Sequence, residues 1–498
     1  MKRLLFKNAL YGGTQFLIGI VLTFIGVPIF NKYLGAELYG LFAAITVFGN
    51  LNLLASLGIN VSLIKHLAEQ GKTLKSNMDI ATSLLLSIGL ATLLALLIFF
   101  NIPHILSFLH VNFLYYNDAK ALLVLSSIGG LISIIGQVFA AILDAQNKVY
   151  VNNSLQSLYN ILYWVGIIVV LYMGKGLYAI AWIVLIANAV WFLLLMFFSI
   201  RSWQFFSFQF SMDLCKQSFR KQFNYGGKIY VSGILGFLFE PLTKLLLAQL
   251  TGLREVGYLD IALRLKAQVW GLFNKILYPI TPYIATETNM AIALKLINTV
   301  ERILTVLAIP IAAITYLVMP DFIQLWLHKS VVDSKHIIDA ATFITIAYIL
   351  FSIPIIPLYS FFAIKSKPIY SVYMQATNAG TNLLLLMILV PWLHFNAVVI
   401  SISVSIFLSY ILLQYLRKKN TGSFLYSSNI MEKMILFLLL LVGVGTLSSC
   451  WIESKYWRII VNVSAVFFVT GFVFKWYLIK YVGGINYFNQ AKMVFKKR

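Results

Sequence analysis

Gly35-Ala-Glu-Leu-Tyr-Gly40 returns 217 residues later as Gly252-Leu-Arg-Glu-Val-Gly257, and this echo decides how the chain is read. Three further matches keep the same order. Tyr11-Gly12-Gly13 returns as Tyr225-Gly226-Gly227, Pro103-His-Ile-Leu-Ser-Phe-Leu-His110 as Pro320-Asp-Phe-Ile-Gln-Leu-Trp-Leu-His328, and Tyr150 as Tyr370. Pro28 and Pro241 lie toward the far ends of matching apolar runs. One match is weak; four in order at nearly one offset mark a duplicated unit, a common way of building transporters.

The chain around these motifs is apolar. Of 498 residues, 60% are hydrophobic and 11% charged, against about 25% charged in soluble proteins. That composition excludes a soluble enzyme, a disordered chain and a nucleic-acid-binding domain. Fourteen apolar runs bounded by charge or turn residues fit about 20 residues per span, from 9–30 and 38–64 through 225–250, 256–285 and 337–363 to 459–479. Lipid-exposed backbone must satisfy its own hydrogen bonds, and the runs are too long for membrane strands, so helices are expected. The apolar run behind Met1–Lys7 continues without a small-residue cleavage site and reads as a retained first helix.

The repeat and the runs give an all-α polytopic membrane protein with about 14 transmembrane helices. Two six-helix lobes, 1–200 and 225–416, flank an interfacial linker at 201–224. Two extra helices and a basic tail occupy 417–498. An even number of helices per lobe makes the repeat parallel.

Net charge is +22, which in a soluble protein would suggest a polyanion partner. Placed on alternating loops with the N-terminus inside, 24 Lys and Arg fall on the cytoplasmic side and eight on the other, with acids split seven and seven. The positive-inside rule then puts both termini in the cytoplasm. The linker, with Lys216, Arg220 and Lys221 among Met212, Cys215, Phe219 and Phe223 at helical spacing, reads as an amphipathic segment facing membrane lipids, or as a basic solvated loop.

The remaining charges lie inside spans, where they are functional candidates by default. They are Lys228, Glu240 and Lys244 on the seventh run, Asp260, Arg264, Lys266 and Lys275 on the eighth, and Lys475 on the fourteenth. Lys475 is expected to snorkel to the interface, an option open to Lys228 and Lys275 too. Glu240 and Lys244 share a face by their spacing of four, as do Asp260 and Arg264. Two readings stay open: pairing that locks helices, or a cationic lining for a diphosphate, which arginine holds bidentately and lysine as a mobile charge. Six cations against two acids favour an anionic substrate. Glu240 and Asp260 are the candidate H+ or Na+ coupling residues, since desolvation raises a membrane carboxylate's pKa.

The first lobe offers polar stripes instead: Asn8, Gly12, Gln15, Gly19, Thr23 and Gly26 on the first run, Asn50 and Asn60 on the second, Asn153, Gln156 and Asn160 on the fifth. Gln375, Asn378 and Asn382 echo the last set on the eleventh run. Gln15, Asn50, Asn160 and Gln375 are the candidate glycan contacts; interhelical glue is the competing reading. His104, His110, His328, His336 and His394 show no metal spacing, and Cys215 and Cys450 imply no disulfide framework. Gly71-Lys72-Thr73 resembles the end of a phosphate-binding loop, but His66 stands where its first glycine belongs.

Pro28-Ile-Phe-Asn-Lys-Tyr-Leu-Gly-Ala-Glu-Leu-Tyr-Gly-Leu-Phe42, its counterpart at Gly252–Asp260 and the 6+6+2 layout together resemble polysaccharide flippases of the Wzx type. Those belong to the superfamily that includes multidrug and toxic-compound extrusion transporters and the lipid II flippase. The resemblance implies a V-shaped, ion-coupled, alternating-access carrier in the bacterial inner membrane. Its substrate would be an undecaprenyl-diphosphate-linked oligosaccharide, an O-antigen or capsular repeat unit, moved from the cytoplasmic to the periplasmic leaflet. Other polysaccharide-assembly membrane proteins are the expected partners, with no catalytic residues, metal or resident cofactor. The rivals are a multidrug exporter on the same fold, a membrane-embedded glycan polymerase or acyltransferase, and a lipid-binding scaffold.

Overall fold

The computed structural model describes residues 2–49, 52–204, 212–277, 284, 289–328, 331–362, 369–421, 428–449 and 451–481. Among them run fourteen long helices. In chain order these are α1 (Lys2–Gly49), α2 (Asn52–Gln70), α3 (Leu74–Phe100), α4 (Tyr116–Ala145), α5 (Val149–Tyr172), α6 (Leu177–Trp203) and α7 (Met212–Leu250). They continue as α8 (Leu253–Leu277), α9 (Met290–Leu327), α10 (Val331–Ala347), α11 (Ile369–Leu393), α12 (Phe395–Thr421), α13 (Ser428–Ser449) and α14 (Lys455–Tyr481). Ten described spans are long and apolar enough to cross a membrane. The protein is an all-helical, multi-pass membrane protein; the ten do not match the fourteen expected one for one.

The repeat is written into the backbone. Gly35 (φ 77°) and Gly252 (φ 122°) are repeat equivalents, and both take the left-handed region that a side chain resists. His110 (φ 50°) and His328 (φ 51°) are likewise equivalent, and Gly174 (φ 70°) matches His394 (φ 46°) at the Tyr150–Tyr370 offset. These three histidines therefore sit in left-handed backbone at helix ends. Equivalent α6 and α12 are each 27 residues long.

Some boundaries differ from expectation. Gly35 breaks the helical dihedrals inside α1, so that residues 36–49 follow as a second segment near the start of the run expected at 38–64. Residues 212–224, expected in the linker, are the first turns of α7, with Ser218 buried against α3 through a hydrogen bond to Asp79. Residues 205–211 of the linker lie outside the described residues.

The duplicated units also diverge. α4 is continuous for 30 residues, whereas its counterpart is broken into α10, a π-helical turn at Tyr348–Ser352 and a short helix at Ile356–Phe361. Pro354 and Pro357 explain the break, since each lacks an N–H for the helical ladder.

By packing, the chain forms two compact units, 1–260 and 261–498. In the first, Leu63, Ile80, Phe139, Ile142, Trp191 and Trp203 share one core. α4 and α6 close on Gly136, where an added Cβ would meet the Trp191 ring at 2.7 Å, and on Ser133, which donates to Asn188 at 2.7 Å. In the second, Ile297, Leu358, Phe361 and Leu413 form a core joining α9, the short helix and α12. α13 and α14 pack on α9 through Leu317, Leu441 and Val466, and Arg458 of α14 pairs with buried Asp321 of α9.

Candidate functional site

The two copies of the glycine motif meet each other. A Cβ on Gly40 would lie 1.6 Å from the Leu253 carbonyl oxygen, and one on Gly257 2.6 Å from that of Ala36. Backbone runs on backbone here, so only glycine fits at either position. The motif that reveals the duplication is therefore a helix crossing between its halves, residues 36–49 of α1 against the start of α8.

That crossing positions a buried polar cluster. Tyr39, beside Gly40, is fully buried with its ring edge-on to Phe30 at 5.1 Å. Its hydroxyl donates to Asp260 Oδ2 at 2.6 Å. Lys244 Nζ of α7 lies 2.6 Å from Asp260 Oδ1. Thus each carboxylate oxygen has a donor, and three chain segments converge on one acid. Pairing of this kind is what a buried carboxylate requires. Lys244 of α7 thus reaches across to Asp260 of α8, a pairing that joins two helices.

The other charged candidates differ in burial. Arg264 and Gln268 on α8 are half-buried and Lys275 is exposed, in line at helical spacing. Lys266 leaves that line. It is buried, and its ammonium lies 4.3 Å from the ring centroid of Tyr348, the first residue of the π-helical turn, a cation–π contact. Glu240 is half-buried. The side chains of Lys228 and Lys475 lie outside the described residues.

Several polar stripes join helices. Asn8 donates to the Asn147 carbonyl at 3.2 Å and accepts from the Tyr150 amide at 3.0 Å, tying α1 to the start of α5. Gly19 lies beside Asn160, and Gly26 beside the Trp164 ring, along the same α1–α5 contact. Asn60 donates to Gln137 at 3.3 Å, and Ser409 to Asn378 at 2.5 Å. Gln15, Asn160 and Gln375 are half-buried. Asn50 lies outside the described residues.

One buried cluster escapes sequence reasoning. Glu301 of α9 and Arg417 of α12 form an ion pair whose side chains are 1% and 2% exposed, and Gln414 Nε2 donates to Glu301 Oε1 at 2.8 Å. Glu301 was counted with loop charges because it sits at the edge of an apolar run. The spacing of three between Gln414 and Arg417 was the available signal. Asp321, inside an apolar run, is also buried and pairs with Arg458, so Asp260 is not the only buried carboxylate on a membrane helix.

Residues 5–287 match the family described as "Polysaccharide biosynthesis protein". No curated protein matches the chain. Among solved structures, the lipid II flippase MurJ in an inward closed conformation is similar with a TM-score of 0.70 and 14% identity, over 94% of this chain and 99% of that one. An inward-facing multidrug resistance MATE transporter of the MOP superfamily follows with TM-score 0.63 and 14% identity, over 82% and 96%. A Vibrio cholerae MATE transporter gives 0.58 and 14%, over 84% and 98%. At these identities the likeness is one of fold. The family match and the fold agree with the resemblance read from the motifs: the chain belongs to the polysaccharide biosynthesis protein family and has the fold of the MurJ and MATE transporters.

Proposed function

We propose that this protein flips an undecaprenyl-diphosphate-linked oligosaccharide, an O-antigen or capsular repeat unit, from the cytoplasmic to the periplasmic leaflet of a bacterial inner membrane. The observation that carries the reading is the Arg264–Gln268–Lys275 line on α8, in a chain whose residues 5–287 match a polysaccharide biosynthesis family. Arginine grips a diphosphate through paired N–H donors, and lysine adds charge without fixed geometry. With Lys244 taken by Asp260, Glu301 by Arg417 and Asp321 by Arg458, the remaining intramembrane candidates read from the sequence are five cations to one acid, a balance that suits an anion and not the cationic drugs of an exporter.

The polyprenyl tail stays in the bilayer while the glycan crosses among half-buried amides such as Gln15, Asn160 and Gln375. Lobes 1–200 and 225–416 alternate between inward- and outward-open states, so the α1–α8 crossing belongs to one state and parts in the other. Coupling to H+ or Na+ is assigned to the carboxylates Glu240 and Asp260 on α7 and α8.

A leaflet assay of labelled lipid-linked oligosaccharide in proteoliposomes tests this. Arg264→Ala is expected to lower the flipping rate at least about tenfold, the loss of one charge-assisted contact. Unchanged flipping in that variant removes the diphosphate site, and none by the intact protein removes the function. Glu240→Gln is expected to abolish the response to an imposed ion gradient; a retained response excludes Glu240 as the coupling site.

A further inference from the structure

At one end of the first unit, Lys72 and Lys148 converge on a single serine. Lys72 Nζ donates to the Ser202 carbonyl oxygen at 3.1 Å, and Lys148 Nζ to Ser202 Oγ at 2.6 Å. Ser202 Oγ in turn donates to Gln146 Oε1 at 2.5 Å. Two ammonium groups are thereby held on one residue, and two positive charges gathered there favour a counter-anion.

No carboxylate in the described residues lies within 4 Å of either lysine. The acids nearest in sequence have other partners: Glu69 lies 3.6 Å from His66. Asp79 takes Gln70 at 3.2 Å and Ser218, and Asp144 takes Asn152 at 3.2 Å. Residues 205–211, which follow α6, contain no acid at all.

The surroundings add positive potential. Lys148 occupies the N-cap position of α5 with no side-chain cap bond, and Lys72 precedes Thr73, the N-cap of α3. Both helix starts direct partial positive charge toward this point. Lys75 and Arg201 stand exposed beside it, and Lys7 Nζ lies 3.6 Å from the Tyr150 ring centroid on the same end.

Depth selects the ligand. Lys72 stands just before the membrane span starting at Leu74, Lys148 just before that starting at Val149, and Ser202 next to the end of Leu177–Trp203. Three membrane helices therefore place this pair where hydrocarbon gives way to headgroups. From this geometry we infer that Lys72, Lys148 and the Ser202 turn form a binding site for the phosphate of an anionic glycerophospholipid, with Lys75 and Arg201 as its rim. The site is separate from the α8 line and does not depend on what the protein transports.

The test uses the full-length protein purified in detergent. Its thermal midpoint is measured with added phosphatidylglycerol, phosphatidylcholine or inorganic pyrophosphate. Phosphatidylglycerol is expected to raise the midpoint by several degrees, and K72A/K148A to lose more than half of that shift. K72R/K148R should keep it. K32A/K175A, which removes two exposed lysines elsewhere in the unit, should keep it too.

An undiminished shift in K72A/K148A overturns the site. An equal shift with phosphatidylcholine shows hydrophobic solvation instead, and an equal shift with pyrophosphate shows a free-anion site; either overturns the lipid assignment. If K72A/K148A does not fold, native mass spectrometry of K72A and K148A singly decides the matter. One fewer retained phosphatidylglycerol than in the intact protein supports the site, and equal retention removes it.

Discussion

The Asp260 and Glu301 carboxylates are both nearly excluded from solvent, yet their partners differ in kind. Asp260 meets a flexible lysine, whose side chain is 17% exposed, and a tyrosine hydroxyl. Glu301 meets Arg417, 2% exposed, with Gln414 completing the fork. The first cluster joins segments from the two copies of the repeat, while the second joins α9 to α12 inside one copy. Lysine releases and re-forms a point contact easily, whereas a planar guanidinium holds a fixed geometry. One arrangement suits a contact that opens during a cycle, and the other a clamp that stays shut.

The sharpest attack on this contrast is Arg417→Ala. It leaves Glu301 buried without its counter-ion, which costs about 3–5 kcal/mol, and is expected to give the largest fall in thermal midpoint in detergent. Adding Glu301→Gln should recover part of the loss. If Arg417→Ala is milder than Lys244→Met, the clamp reading is wrong.

Gly40→Leu comes next. Its Cβ would overlap the Leu253 carbonyl, and backbone cannot yield as a side-chain tip does, so destabilisation near the top of the overpacking range, about 3 kcal/mol, is expected. A midpoint like the intact protein's would mean that the α1–α8 crossing contributes nothing to the ground state.

Lys244→Met should destabilise less, by about 2 kcal/mol, because Tyr39 still serves Asp260 and the site is not fully closed. Flipping should fall at least about tenfold in a monodisperse protein, a rate change beyond what the midpoint accounts for. Equal losses of stability and rate would make the cluster structural only. Arg458→Ala should have the smallest effect, about 1 kcal/mol, because this arginine is 30% exposed and water screens its pair with Asp321. That value measures how firmly α14 is held on α9.

Much of this was legible one residue at a time. Gly35 and Gly252 announced the duplication, and their shared positive φ shows that the match lies in the backbone as well as the letters. The charges on α7 and α8 stood out against apolar neighbours. Their pairing did not: Arg264 follows Asp260 by four residues on one face, and Lys244, sixteen residues away in sequence, reaches it across a helix boundary. Lys266 looked like one of a cationic set until Tyr348, from the broken α10, was found over it. Glu301 and Arg417, 116 residues apart at the ends of apolar runs, looked like loop charges that report topology.

By itself the sequence determined that the chain is helical, lives in a membrane and is built twice. Apolar length, backbone hydrogen bonding in lipid and an ordered set of motifs are one-dimensional properties that need no partner to be read. Only the tertiary structure decided which acid meets which cation. A helix turns by about 100° per residue, so the face that meets a neighbour is settled by packing. At the α1–α8 crossing, two absent Cβ atoms let backbones touch and bring Tyr39 onto Asp260.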